Sequence, residues 1–366
     1  MVLIVAQTTR RLHTVDPPAP VACAFVQLAD FDYELPAQRI AQTPLEPRDS
    51  ARLLVDRGTA SPLHRHVRDL GEFLRPGDLL VVNDSKVIPA RLRLRRDSGG
   101  AAEVLLLEPA SGQAGDGVHR VWEALVRPGK KLRVGEQLFS NAGDALVEIG
   151  ARTSSGDTFW VTLLGEGDPL ELLAGHGDMP LPPYINTPLA ETGRYQTVYA
   201  SEPGSAAAPT AGLHFTPELL ESLSNLGVGL ARVELVVGLD TFQPMSAADP
   251  RDHLIHSERY RVAADVLERC RTAERVVAVG TTATRALESA ATFGTLEGRT
   301  RLFIHRGYEW KVVDLLMTNF HLPRTTLLLM IDAFVGPRWR RLYEEALAHD
   351  YRFLSFGDAM LLDRSL

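Results

Sequence analysis

Five segments keep imidazoles, amides, hydroxyls and glycines where an apolar core has no use for them. Ala208-Pro-Thr-Ala-Gly-Leu-His214-Phe-Thr sets a histidine just before a helix start, where free backbone N–H groups favour an anion or a carboxylate. The other reading is that Thr216 caps the helix and His214 packs. Asp252-His253-Leu-Ile-His256-Ser257-Glu258 offers two imidazoles three apart and a carboxylate. No third ligand follows at a metal-binding interval, so acid–base or surface histidines are favoured over a metal site. Val276-Val-Ala-Val-Gly280-Thr281-Thr282-Ala-Thr284-Arg285-Ala-Leu-Glu288 reads as strand, turn and helix, with the positive helix end aimed at a ligand. It is neither GxGxxG nor a P-loop, so it suits a carboxylate or a hydroxyl-rich molecule rather than a dinucleotide or triphosphate. Arg285 and Glu288, three apart, could equally form a surface ion pair.

Lys311-Val-Val-Asp314-Leu-Leu-Met-Thr318-Asn319-Phe-His321-Leu-Pro carries an amide and an imidazole to a strand end, where α/β sheets collect ligands; a capped loop is the alternative. In Lys86-Val-Ile-Pro-Ala-Arg91-Leu-Arg93-Leu-Arg95-Arg96, three arginines alternate and so leave one face of a strand. That stripe could contact phosphates, or it could be an edge strand protected by charge.

The elements that must hold these residues fall into two textures. A short helix is expected at 36–40, a strand at 51–56 and an amphipathic stretch at 64–75. Then six short strand-like runs follow without a helix: 78–84, 90–96, 102–108, 121–126, 145–149 and 158–163. Turn residues separate them at regular intervals, which predicts a small antiparallel β-barrel or sandwich. Further on, Thr216, Pro217, Glu218 and Gly227 mark the two ends of a helix. Strands at 230–237, 276–279 and 302–304 alternate with helices at 263–271, 283–291 and 338–348, an α/β pattern. The expected fold is therefore α/β, a mixed sheet with helices, with an inserted small antiparallel β-barrel. Residues 1–27 form an N-terminal extension, 28–75 and 171–366 a discontinuous α/β catalytic domain, and 76–170 the inserted barrel.

Composition narrows the class. The 366 residues are 45% hydrophobic and 23% charged, normal for a globular enzyme. The net charge of −7 argues against a uniformly basic nucleic-acid binder, although a local basic groove remains compatible with it. Two cysteines without a CxxC speak against a disulfide framework or a thiolate zinc site, and fit a reducing cytoplasm. No apolar run approaches the roughly 18–20 residues needed to span a bilayer.

Together with Phe31-Asp-Tyr-Glu-Leu-Pro, Val82-Asn-Asp-Ser-Lys-Val-Ile-Pro-Ala-Arg-Leu, Met179-Pro-Leu-Pro-Pro-Tyr-Ile, Tyr195-Gln-Thr-Val-Tyr and Tyr351-Arg-Phe-Leu-Ser-Phe-Gly-Asp-Ala-Met, these segments run in one order from residue 31 to about 362. The chain so resembles the S-adenosylmethionine:tRNA ribosyltransferase-isomerases of queuosine biosynthesis. The resemblance implies S-adenosylmethionine as a co-substrate that donates ribosyl, no metal and no other cofactor. It implies tRNA carrying 7-aminomethyl-7-deazaguanine at the wobble position as acceptor, with epoxyqueuosine-tRNA, adenine and methionine as products. A cytoplasmic monomer with no membrane partner is expected. His214, His256, Glu258 and His321 are the expected proton-transfer residues. Gly280, Thr281, Thr282, Arg285 and Asn319 would hold the donor; Asp84, Lys86 and Arg91 would face the base or the tRNA.

The sequence departs from the family pattern at Ser85-Lys86 (usually Thr-Arg), at Val236 and Asp240 (usually His and Gly) and at His305-Arg306 (usually Tyr-Pro). Those departures leave two other readings open: a paralogue serving a small-molecule acceptor, and an RNA-binding protein without catalysis. A metal hydrolase built on His253 and His256 is the remotest.

Overall fold

The computed structural model describes residues 27–110, 120–154, 156–237, 245, 249, 255 and 257–366. Its backbone is a nine-stranded sheet with a barrel attached. Four strands at the centre run parallel: Gly229–Leu235, Leu79–Asn83, Val276–Val279 and Leu315–Asn319, side by side in that order. Antiparallel strands flank them. Glu258–Arg261 and Glu297–Thr300 lie on one side. On the other, Ala359–Asp363 pairs antiparallel with Leu315–Asn319 and parallel with Arg52–Val55, and Leu63–His66 closes that edge.

Apolar layers cover both faces of the sheet. One joins Leu79, Val81, Val233, Ala278 and Leu316 to the helices Gly280–Phe293, Thr326–Val335 and Arg338–Ala348; the other joins Leu80, Val82, Val277 and Met317 to Pro217–Asn225. Burial on both faces explains why all five residues of Leu79–Asn83 and all four of Val276–Val279 are buried.

The barrel closes through six strands: Arg91–Arg96, Ala101–Pro109, Val121–Arg127, Phe159–Leu163, Ala145–Arg152 and Gln137–Phe139, the last pairing back onto the first. The helix Pro169–His176 and the short strand Gly177–Asp178 pack on this ring, Leu173 within its core and Gly177 opposite Leu92. A two-stranded parallel ribbon, Ser85–Val87 with Glu202–Ser205, lies between sheet and barrel.

The mixed sheet, its helices and the closed antiparallel barrel agree with the expected fold class. The element assignments need four corrections. The strand at 79–83, grouped above with the barrel, is a central strand of the large sheet, as its unbroken burial requires. The amphipathic stretch at 64–75 divides into an edge strand and a 3-10 turn, Val67–Glu72. Residues 302–304 are not a strand; the edge strand lies earlier, at Glu297–Thr300. The helix Thr326–Val335 has no amphipathic signature because seven of its ten residues are buried.

Glu288 ties one face together. Its fully buried carboxylate accepts the backbone N–H groups of Lys311, Val312 and Val313, each at 3.0 Å, and the Tyr308 hydroxyl at 2.9 Å. It does not form the surface ion pair with Arg285 that their spacing allowed. Removing the carboxylate leaves those donors without their acceptor, so Glu288→Ala should cost about 3 kcal/mol or more in urea unfolding. An unchanged midpoint would show that water replaces the carboxylate.

Candidate active site

The four parallel strands deliver their carboxyl ends to one edge: Val236-Val237, Asp84, Gly280 and Phe320-His321. There the chain opens a cleft walled by Pro209, Thr210, Val237, Gly280, Thr281, Thr282, Thr318 to Leu322, Leu354 and Ser355. The carboxyl edge of a parallel sheet is where backbone groups stop being used in the ladder and become available to a ligand.

Asn319 fixes the floor. Its side-chain amide faces the Asp358 carbonyl at 3.3 Å, and because a carbonyl can only accept, Nδ2 must lie on that side. Nδ2 is also 3.1 Å from His214 Nε2, while Oδ1 accepts the Thr210 hydroxyl at 2.9 Å. The His214 Nε2 is therefore the acceptor of its ring and the proton sits on Nδ1. Burial pushes the His214 pKa down to about 4, reinforced by the Arg352 cation and opposed by a hydrogen bond to the Arg48 backbone. The ring is neutral near pH 7 and positions Asn319.

His321 reaches the cleft. Its Nε2 shares a hydrogen bond with the Thr318 hydroxyl at 3.1 Å, and burial lowers its pKa to about 3. Two phenols clamp its backbone: the Tyr33 hydroxyl donates to its carbonyl, and its N–H donates to the Tyr343 hydroxyl at 3.0 Å. Burial drives the acidity of both tyrosines well down, so both remain neutral. On the opposite wall the Tyr184 and Ser355 hydroxyls are 2.7 Å apart.

The helix Gly280–Phe293 begins at the cleft. Gly280 has φ +86, a conformation that side chains resist, and a Cβ there would also touch the Ala211 methyl at 3.5 Å. The preceding residue, Val279, gives no side-chain cap, so the first N–H groups of the helix stay available at its positive end. The Thr282 hydroxyl beside them is buried and has no partner among the described residues.

Glu258 follows from strand register. Val236 donates to the Arg259 carbonyl, extending the ladder beyond Leu235 and Tyr260 and bringing Glu258 opposite Val237 of the cleft wall. The Glu258 carboxylate pairs with Arg285 of the cleft helix, both largely buried. Arg285 therefore answers Glu258 across the sheet rather than Glu288 along its own helix.

Asp84, Lys86 and Arg91 do not line the cleft. Asp84 leaves the carboxyl end of its strand with Oδ2 accepting the Ser201 hydroxyl at 2.8 Å. Burial raises its pKa; Ser201 opposes that shift and the neighbouring Glu202 adds to it. Lys86 is exposed on the ribbon. Arg91 pairs with Glu103 at 3.0 Å and Arg93 with Asp178 at 3.1 Å, whereas Arg95 stays exposed. His253, His256 and Asp240 lie outside the described residues.

Residues 28–362 match the family described as Queuosine biosynthesis protein. The chain belongs to that family. It is 49% identical over 348 residues to an S-adenosylmethionine:tRNA ribosyltransferase-isomerase of Symbiobacterium thermophilum, covering 92% of this chain and 100% of the relative. A protein of the same description from Rubrobacter xylanophilus is 49% identical over 336 residues, covering 91% and 96%. The crystal structure of S-adenosylmethionine tRNA ribosyltransferase from Thermotoga maritima superposes with a TM-score of 0.51 at 37% identity, covering 91% and 99%.

The family's departures now have places in the fold. Val236, where the family usually has an imidazole, is buried, and its N–H donates to the Arg259 carbonyl. Arg306 forms a two-point ion pair with buried Asp332, at 3.0 and 2.6 Å, replacing the usual proline with a cross-link to the helix behind.

Sequence reasoning missed Thr210, Asn83, Tyr33 and Tyr343. Asn83 bonds to both backbone groups of Leu235 and to Ser85, lashing two strand ends together. Thr210, Asn83 and Tyr33 stood inside segments already singled out, although nothing local ties Tyr33 to His321, 288 residues away; Tyr343 has no local signal.

Because the folded pKa values of His214 and His321 lie below the ordinary value near 6.5, the unfolded chain takes up protons first as pH falls. Their contribution is complete above about pH 6.5 and is lost as pH falls toward about 4 and about 3. Between pH 7 and 5 each should cost about 2 kcal/mol. Urea unfolding of the parent and of His321→Gln at both pH values checks this: the variant should show the smaller loss, and an equal loss in both would exclude His321 as a source.

Proposed function

We propose that this protein is an S-adenosylmethionine:tRNA ribosyltransferase-isomerase. It moves the ribosyl group of S-adenosylmethionine onto 7-aminomethyl-7-deazaguanine at the wobble position of tRNA, giving epoxyqueuosine-tRNA, adenine and methionine. The observation that carries the reading is the cleft, which brings His321, Asn319 and the N-terminus of the Gly280–Phe293 helix together in a chain of this family. The cleft suits the donor in two ways. The free N–H groups at Gly280, Thr281 and Thr282, with the Thr282 hydroxyl, suit the donor's carboxylate or ribose hydroxyls. The apolar wall of Val237, Phe320 and Leu354 suits its base.

The chemistry needs proton traffic around a cation. A sulfonium acidifies the hydrogens on the adjoining ribose 5′ carbon, so a base placed beside it can remove one; adenine leaves as its ring takes up a proton, and methionine leaves as a neutral thioether. His321, at the cleft wall, is the imidazole assigned to proton transfer, with its ring a weaker base there than a free imidazole because burial disfavours its cation. His214 serves by holding Asn319 against the donor. Glu258, joined to Arg285, belongs to the proton-transfer set at the flank of the cleft helix. His256 completes the proton-transfer set.

Asp84, whose carboxyl is easier to protonate than usual, and Lys86 face the incoming base at the ribbon beside the sheet edge. Arg91, Arg93 and Arg95 leave one face of the barrel and contact the tRNA backbone. The protein works as a monomer in the cytoplasm; no helix among the described residues is long and apolar enough to cross a membrane.

Adenine release from S-adenosylmethionine, followed with and without tRNA bearing the deazaguanine, tests the reading. Release should depend on the modified tRNA, and His321→Ala should lower kcat about 100-fold or more. Release without tRNA would point to a small-molecule acceptor, and tRNA binding without release to a binding protein. Separately, Arg93→Glu with Arg95→Glu should raise the KM for tRNA about tenfold at low salt and flatten its salt dependence, leaving kcat unchanged. An unaltered KM would move the tRNA off this face.

A further inference from the structure

On the edge of the sheet, His64, Glu345 and His349 form a compact group that the reaction does not use. His64 stands on the edge strand Leu63–His66; Glu345 and His349 stand four apart at the end of the helix Arg338–Ala348, which brings them to one side of it. The Glu345 Oε1 is 3.2 Å from His64 Nε2 and 3.2 Å from His349 Nδ1. One ligand atom from each of the three residues lies within 4.8 Å of the others, and the two rings are 4.5 Å apart.

We infer that these three side chains form a binding site for a divalent transition cation of the zinc type. A single carboxylate oxygen can only accept, so both ring nitrogens that face it now carry protons. A cation placed among the three atoms takes the position of both. Two nitrogens at about 2.0 Å and one oxygen at about 2.1 Å from a tetrahedral zinc lie roughly 3.3 Å from one another, close to the two separations already present. The rings are partly exposed, with side chains 37% and 52% accessible, and have room to make the remaining adjustment and to leave one position for water.

The proton balance closes without an outside base. The His64 proton moves from Nε2 to Nδ1, where the Tyr351 hydroxyl at 3.0 Å turns from donor to acceptor. The His349 proton moves from Nδ1 to Nε2, which gives up the bond between Nδ1 and the Glu345 carbonyl at 3.0 Å in exchange for the metal. Both rings remain neutral and the carboxylate supplies the compensating charge. Tyr351 is itself held in place: the Arg52 guanidinium lies over its ring at 4.0 Å, so the second nitrogen of His64 has a fixed partner of the kind that orients metal-bound imidazoles. Filled, the site would fasten the edge strand Leu63–His66 to the end of the helix behind it.

Titration calorimetry of the full chain, stripped with EDTA and titrated with ZnCl2, tests the inference. One zinc per chain should bind, and Co2+ in its place should give the intense visible bands of a tetrahedral site. His64→Ala and His349→Ala should each abolish the cobalt bands, Glu345→Gln should weaken binding at least tenfold, and Tyr351→Phe should weaken it about tenfold. The melting temperature with zinc should rise in the parent and stay put in His349→Ala, while both proteins without metal melt cooperatively. No stoichiometric binding by the parent, or equal binding by the His64→Ala, His349→Ala double variant, would overturn the proposal. Adenine release enters neither outcome, so the test does not depend on the activity proposed above.

Discussion

The site depends on how one amide is oriented. Asn319 has four hydrogen-bonding positions, and three of them are spoken for by groups from two other stretches of chain: the Asp358 carbonyl, and the His214 ring and Thr210 hydroxyl of the turn Thr210–His214. Since the carbonyl can only accept, the amide cannot flip, and since the amide cannot flip, the His214 tautomer is determined. In a buried setting a broken link of this kind would strand a polar group, so the four residues keep or lose their arrangement together. The cleft floor is rigid for that reason, and His321, two residues on, inherits its position.

Topology explains why such a network can form where it does. Four parallel strands end at one edge, and a parallel sheet covered on both faces has no freedom to put polar side chains anywhere else. Asn83, Asn319 and the Gly280 turn are all first residues past, or last residues within, apolar strands. Asn83 spans two strand ends with its own amide, which keeps the edge from fraying where the ribbon Ser85–Val87 departs toward the barrel.

Much of this was legible in the residues, and the failures share a cause. Helix punctuation by Thr216 and Pro217 worked because a cap is a local bond: Thr216 accepts the Leu219 N–H at 3.1 Å. The Gly280 turn and the Thr318-Asn319 strand end were legible because polar residues directly after an apolar run signal a sheet edge. The ion-pair partner of Arg285 was not legible because Glu258 is 27 positions away and reached only through strand register. The strand at 79–83 was placed with the barrel since short apolar runs carry no mark of which sheet they join. The helix at 326–335 lacks the alternation that separates a helix from a strand, because both its sides are covered. His214 looked free to carry protons; only the three-dimensional partners of its ring show that it is occupied.

The wall that carries His321 is assembled from opposite ends of the polypeptide. The Tyr33 hydroxyl reaches the His321 carbonyl, the Phe31 carbonyl accepts the Arg324 N–H at 2.9 Å, and Asp32 pairs with Arg324. Arg52–Val55 likewise finds its parallel partner only at Ala359–Asp363. During synthesis on a ribosome the first of these segments emerges long before its partner exists, and loop closure over some three hundred residues is slow. Residues 31 to 55 therefore leave the exit tunnel as a chain waiting for its neighbour, whereas the barrel, whose six strands all lie between Arg91 and Leu163, can close while the rest is still being made. A nascent chain released early would carry a finished barrel and no cleft.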